Sequence, residues 1–231
     1  MIDKAFLDTN SLYGELSTVM LLDLAEQWLY FPYWSDYVEK ELRNHLTGRL
    51  GDNALERRLR NMNEAFPQSR ILEWSQYTEI ASDFVTDPDD AAILAGAIAC
   101  KADYLVTNNT SDFKQNRILP LFGVQILTLG DFLSTLMEQY PKETWNTLLD
   151  MVKRNRKPPR TMRDLQSKLS TMPETASFAA MLDRHAGRRY QNQRNLVNHG
   201  TQGRDRLGRF TSIPQDDSDL YDVWGAHGNG Y

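Results

Sequence analysis

Apolar positions along this chain follow two rhythms. The run Ala5-Phe6-Leu7 ends at the polar triplet Asp8-Thr9-Asn10, after which apolar residues recur every three or four positions at Leu16, Met20, Leu21, Leu24 and Trp28. The first rhythm suits a short buried strand and the second one face of a helix. A second strand is expected over 28–34. Ser35 then suits a helix N-cap, with Val38, Leu42 and Leu46 on one face of the helix that follows and Gly48 as its stop. Met20, Trp28 and Trp34 read as core. Residues 53–66 read as a charged helix, whereas 71–82 fit strand and helix equally and stay unassigned. At Asp87-Pro88-Asp89-Asp90, Asp87 can cap a helix, Pro88 suits its first position, and the carboxylates meet the positive end of its dipole. The small residues Ala95, Gly96 and Ala97 allow that helix to lie close to a sheet. Further strands are expected over 102–106 and 124–129, then a helix from 130 or 131 to about 140. Strands alternating with helices imply an α/β fold with a parallel sheet.

Past residue 140 the pattern changes. Residues 141–155 and 162–185 have helical spacing interrupted by Pro158-Pro159 and Pro173, and no strand signal follows. From Gly187 onward the chain is rich in Gly, Asn, Gln, Arg and Asp with few aliphatics to bury, which implies disorder. The expected division is an α/β domain over 1–140, a helical extension over 141–186 and a disordered tail over 187–231.

Composition narrows the setting. Hydrophobic residues make up 41% of the 231 and charged residues 25%, close to the averages of folded soluble proteins. The chain lacks a basic-then-apolar start and any run near the roughly 18 apolar residues of a membrane helix, so neither export nor membrane insertion is expected. Cys100 is the single cysteine; it excludes an internal disulfide and a cysteine zinc cage, and fits a reducing compartment such as the cytoplasm. It reads as a buried small residue. His45, His185, His199 and His227 show no metal-ligand spacing and are assigned no role.

Ligands of open parallel sheets bind beyond the carboxyl ends of the strands. Asp8 ends the first strand, Asp112 follows the strand over 102–106, Asp90 sits in the first turn of the helix before that strand, and Glu41 lies two turns into the second helix. Each alone is an ordinary acidic residue; together, with Phe6-Leu7-Asp8-Thr9-Asn10, Ser35 six residues before Glu41-Leu42, Asp87-Pro88-Asp89-Asp90 running to Ala97, Ala102 to Asn109, and Ser111-Asp112-Phe113, they resemble the PIN-domain nucleases over residues 6–133. That family includes the ribonuclease toxins of bacterial toxin-antitoxin pairs.

The resemblance implies a three-layer PIN-like fold, a parallel sheet flanked by helices, in which Asp8, Glu41, Asp90 and Asp112 are the catalytic, metal-binding carboxylates and Asn10, Thr107 and Asn109 support them. Glu39 is an alternative to Glu41, and Asp87 or Asp89 can assist or replace Asp90. Clustered carboxylates repel one another unless a cation neutralises them, and hard oxygen donors suit Mg²⁺ or Mn²⁺, one or two ions. The implied activity is metal-dependent endoribonuclease cleavage leaving 5′-phosphate and 3′-hydroxyl ends, and the implied role is that of the toxin of a type II toxin-antitoxin pair. The implied partners are RNA, a cognate antitoxin and a second copy of the chain. The alternative is a non-catalytic PIN-like scaffold that binds RNA or protein; a dehalogenase-type phosphatase is disfavoured because position 10 is Asn rather than Asp.

Charge is uneven in a way that bears on a polyanionic substrate. The net −5 resolves into −11 over residues 1–150, +10 over 151–209 and −4 over 210–231. Lys153, Arg154, Arg156, Lys157 and Arg160 are candidate RNA contacts, and Arg184, Arg188, Arg189 and Arg194 form a second basic group, although most charge runs are simply solvated. The acidic tail around Asp216, Asp217, Asp219 and Asp222 either folds back on the basic segment or presents a docking peptide.

Overall fold

The structure, a computed structural model, describes residues 2–155 and 157–200, with positions 50, 52 and 189–200 described by backbone alone. The chain divides into two compact units, Met1–Leu148 and Leu149–Tyr231.

The first unit is an α/β fold around a five-stranded sheet. Its strands are β1 (Lys4–Leu7), β2 (Phe31–Ser35), β3 (Arg70–Ile71), β4 (Tyr104–Val106) and β5 (Gln125–Leu127). They lie in the order β3-β2-β1-β4-β5 and all pair in parallel. The helices between them are α1 (Thr9–Tyr13), α2 (Glu15–Glu26), α3 (Asp36–Leu50), α4 (Asp52–Ala65), α5 (Thr78–Ser82), α6 (Asp90–Ala99) and α7 (Gln115–Phe122), and α8 (Leu129–Gln139) follows β5.

Both faces of the sheet are covered. Register pairs Ala5 with Tyr104 and Phe6 with Leu105, and paired residues of a parallel sheet point the same way. Tyr104 meets Phe132 of α8, with ring centroids 5.6 Å apart, so α8 lies on the Ala5 face. Phe6 points to the other face, against α6: a Cβ on Gly96 would stand 2.4 Å from the Phe6 ring. Only glycine lets α6 come this near. Helices on two faces explain why the strands are continuously apolar instead of alternating. Among the described residues no helix is long and apolar enough to cross a membrane.

Local chemistry accounts for most boundaries. Ser35 caps α3 through the Val38 N–H (3.3 Å), and Val38, Leu42 and Leu46 are buried as their spacing predicts. Helix α3 runs past Gly48 to Leu50 and stops at Gly51, whose φ of 77° is the conformation glycine tolerates best. The acidic turn also differs. Asp87 accepts a hydrogen bond from the Asp89 N–H (3.0 Å) in a turn of its own, and α6 begins at Asp90. Trp28 is not core: it takes φ of 60° just past the end of α2, which swings its side chain into solvent, 66% exposed, with its ring edge-on to Phe31. Met20 and Trp34 are fully buried. The unassigned stretch resolves into β3, a single 3₁₀ turn and α5, while α7, which carries Pro120, has no counterpart in the sequence reading.

The division between the units falls within α9 (Pro141–Arg154), and α10 (Met162–Ser170) and α11 (Ala176–Gly200) follow in the second unit. Thr161 and Asp164 form a reciprocal capping box at the start of α10, and Leu165, Leu169, Phe178 and Leu182 are buried. Helix α11 continues through Gly187, where the composition changes, to Gly200; the acidic tail lies outside the described residues.

Candidate functional site

Strand order reverses at β1, which has β2 on one side and β4 on the other, although β4 comes later in the chain. At such a switch point the connections leave in opposite directions and open a crevice beyond the strand ends. Asp8 follows β1 and Thr107 follows β4, so both stand at this crevice.

Asp8 is 4% exposed and held from three directions. Its Oδ1 accepts from the Thr9 N–H at 2.5 Å, and its Oδ2 accepts from the Asn10 amide and the Thr107 hydroxyl, each at 2.7 Å. Asn10 is fixed in turn, its Oδ1 accepting from the Asn108 N–H at 2.9 Å. The Asn109 N–H donates to Thr107 Oγ1 at 3.1 Å. The Thr9 hydroxyl donates to Glu41 Oε2 at 2.6 Å and so ties α3 to the end of β1. The three partners of Asp8 itself are neutral.

A cleft of about 300 Å³ opens here, lined by Asp8, Thr9, Asn10, Glu41, Asp90 and Asn109. Tyr13, His45, Asp89 and Ile93 complete its wall. Burial pushes Asp8 up to about 7; the Thr107 and Thr9 hydrogen bonds oppose the rise, and the charges of Glu41 and Asp90 add to it. Asp90 is pushed up to about 6, first by burial and then by Asp112, Asp87, Glu41 and Asp89. Asp112 is not among the lining residues. It acts on the cleft through its charge, and its segment is clipped beside α6 by the Val85–Phe113 bridge and by the Thr86 N–H donating to the Asp112 carbonyl (2.8 Å).

Glu39 and Asp87, two of the alternative acids, are not among the residues lining the cleft. Glu39 is buried on another side of α3, accepting from the Asn63 amide at 2.7 Å and pairing with Arg70 at 3.1 Å and Arg43 at 3.6 Å. It is an internal ion-pair centre, and Glu41 is the residue in the cleft. Asp89 joins Asp90 in the cleft wall, while Asp87 is exposed and shapes the turn. Cys100 is buried with its thiol pushed up to about 12, chiefly by burial, which makes it inert. Lys153, Arg154, Lys157 and Arg160 are exposed residues of the second unit, and Arg156 lies outside the described residues.

Sequence reasoning missed His45 and Tyr13. His45 had a signal, since it stands four residues after Glu41 and must share its helix face. Tyr13 had none, because its position depends on how α1 meets α3.

The donor set suits a hard divalent cation: carboxylate and amide oxygens, with Asp8 and Asp90 under repulsion that such a cation would cancel. Among the described residues, no three acidic, histidine or cysteine side chains have the spacing of a formed coordination shell. The fold and site thus define a doubly wound α/β protein with an under-neutralised acidic cleft at its switch point. Compared with known proteins, the chain matches no family model, no curated protein and no solved structure.

Proposed function

We propose that this chain is a divalent-metal-dependent endoribonuclease of the PIN type. The observation that carries the reading is the convergence of Asp8, Glu41 and Asp90 on one cleft at the switch point, with Asp8 and Asp90 held above the ordinary carboxylate range. Clustered acids without an internal cation call for an external one, and a phosphodiester is a substrate that carboxylate-held Mg²⁺ or Mn²⁺ can activate. Asp8, Glu41, Asp90 and, through its neighbouring charge, Asp112 would hold one or two ions. When bound, the metal supplies an activated water and neutralises charge on the phosphate oxygens.

The chain's own residues do the positioning. Thr107, Asn10 and the Thr9 N–H orient Asp8 so that its rotamer is set before any ligand arrives, and Thr9 does the same for Glu41. Such preorganisation is what a site of fixed geometry requires. The expected products carry 5′-phosphate and 3′-hydroxyl ends. The basic stretch Lys153 to Arg160 would add phosphate contacts. In this reading the protein works in the cytoplasm, where its lone thiol stays reduced, as a homodimer and as a toxin whose antitoxin covers the cleft. Light scattering tests the dimer. Growth arrest on expression, relieved by Asp8→Asn, tests the toxin role.

The decisive experiment is cleavage of mixed structured and single-stranded RNA by wild type and Asp90→Asn, with Mg²⁺, with Mn²⁺ and with chelator. Metal-dependent cutting lost in Asp90→Asn supports the proposal. Cutting that survives chelation, or that Asp90→Asn retains, overturns it.

A further inference from the structure

An acidic cleft repels the polyanion it would cut, so some part of its rim has to attract phosphate. Of the described residues lining it, His45 is the one basic side chain. Glu41, His45 and Arg49 follow one another at four-residue intervals on α3 and therefore share one helix face. The Arg49 guanidinium lies over the ring of Tyr13, 5.6 Å from its centroid, and Tyr13 lines the cleft. Another cation of the same helix, Arg43, is committed internally, to Glu56 at 2.7 Å and Glu39 at 3.6 Å. Arg49 and His45 are exposed and, among the described residues, form no ion pair.

On the nuclease reading of this cleft, we propose that Tyr13, His45 and Arg49 form a nucleotide subsite flanking the acidic centre. His45 and Arg49 take a backbone phosphate next to the bond to be cut, and the Arg49–Tyr13 pair receives the adjoining base. Guanidinium suits both tasks: its fork donates to phosphate oxygens, and its plane stacks between a phenol ring and a base. Aromatic faces accept any base, so the subsite selects unstacked, single-stranded nucleotides without reading sequence. The plainer role for Arg49 on Tyr13 is to pack α1 against α3, and it predicts lost stability with unchanged ligand binding.

The test is equilibrium binding to the full chain, with Ca²⁺ present, of two fluorescein-labelled probes: a single-stranded RNA of about ten nucleotides and an abasic oligomer with the same backbone. Expected for Arg49→Ala is roughly fivefold to tenfold weaker RNA binding, with the salt slope reduced by about one. His45→Gln weakens both probes. Tyr13→Leu weakens the RNA by roughly fivefold and leaves the abasic probe within about twofold. Arg49→Lys restores the abasic probe and not the RNA, which a packing role would not produce. Binding within about twofold of wild type for both probes in Arg49→Ala and His45→Gln overturns the subsite, as does equal weakening of both probes by Tyr13→Leu. The two proposals fail separately. A wild type that binds with these variant effects but never cuts removes the nuclease reading alone, and one that cuts while its variants bind normally removes the subsite alone.

Discussion

Helix α3 has a buried acid on either side, each at the centre of its own cluster, and the two are treated differently. Glu39 is 2% exposed and meets two guanidinium groups and an amide, so its charge is neutralised within the protein. Asp8 is 4% exposed and meets a hydroxyl, an amide and a backbone N–H, with other carboxylates as its charged neighbours. Burial is nearly the same; what differs is where the compensating charge comes from. A buried acid with its own cation holds elements together, here α3, α4 and the β3 edge, whereas one left uncompensated stores repulsion that a ligand relieves.

The largest expected effect separates the two clusters by function. Asp8→Asn or Asp90→Asn should lower RNA cleavage by more than about 100-fold, beyond the loss typical of a residue that only orients a ligand. Glu39→Gln should leave cleavage per folded molecule within a few-fold. Equal losses from both clusters in a metal-dependent RNA assay would erase the distinction.

Stability should invert the order. Glu39→Ala removes the centre of the Arg43, Arg70 and Asn63 network and should cost about 2 kcal/mol by chemical denaturation, less than a fully buried pair because both arginines reach solvent. Divalent metal sharpens the contrast. If Mg²⁺ or Mn²⁺ binds the folded cleft, saturation at 100 times its dissociation constant should add about 2.7 kcal/mol, visible as a raised Tm, absent in Asp8→Asn and retained in Glu39→Gln.

Without divalent metal, pH should tell the same story. Asp8 at about 7 and Asp90 at about 6 keep protons in the folded state that the unfolded chain releases near 4. The folded state therefore binds more protons between those values, and stability falls as pH rises from about 4 to about 7. Asp8→Asn should flatten this decline, although its amide nitrogen would stand against a donor in either orientation, the Thr9 N–H or the Asn10 amide, and lose part of the gain. A flat thermal-stability profile for wild type over that range would show that the charges are compensated after all.

The smallest effect belongs to Thr107→Val. It withdraws the hydrogen bond that most lowers Asp8, so the acidic limb of the cleavage profile should move upward in pH, with about 1 kcal/mol of stability lost. An unmoved limb would place the titrating group elsewhere.

Much of this was legible in the chain because it depends on neighbours in sequence. The apolar run ending at Asp8, the Ser35 cap with its Val38-Leu42-Leu46 face, and the alternation that implies a parallel sheet are short-range patterns, and each has its counterpart. Short-range rules failed where a residue has two local options. Asp87 can cap a helix or close a turn, and it closes the turn; Trp28 fits a helical stripe, but α2 ends before reaching it. Helix α7 escaped notice because Pro120 interrupts its pattern, yet it lies far enough along for the preceding turn to persist.

By itself, then, the sequence determined the α/β class, the parallel sheet and the set of acidic residues at strand and helix ends, since period and capping are encoded within a few positions. Only the tertiary structure decided that Glu41 and not Glu39 enters the cleft, that Asp112 acts on Asp90 through charge, and that Tyr13 and Arg49 stand beside the acids. Glu39 and Glu41 are two residues and about 200° apart around one helix, and which side meets arginines and which meets Asp8 is set by chain segments dozens of residues away.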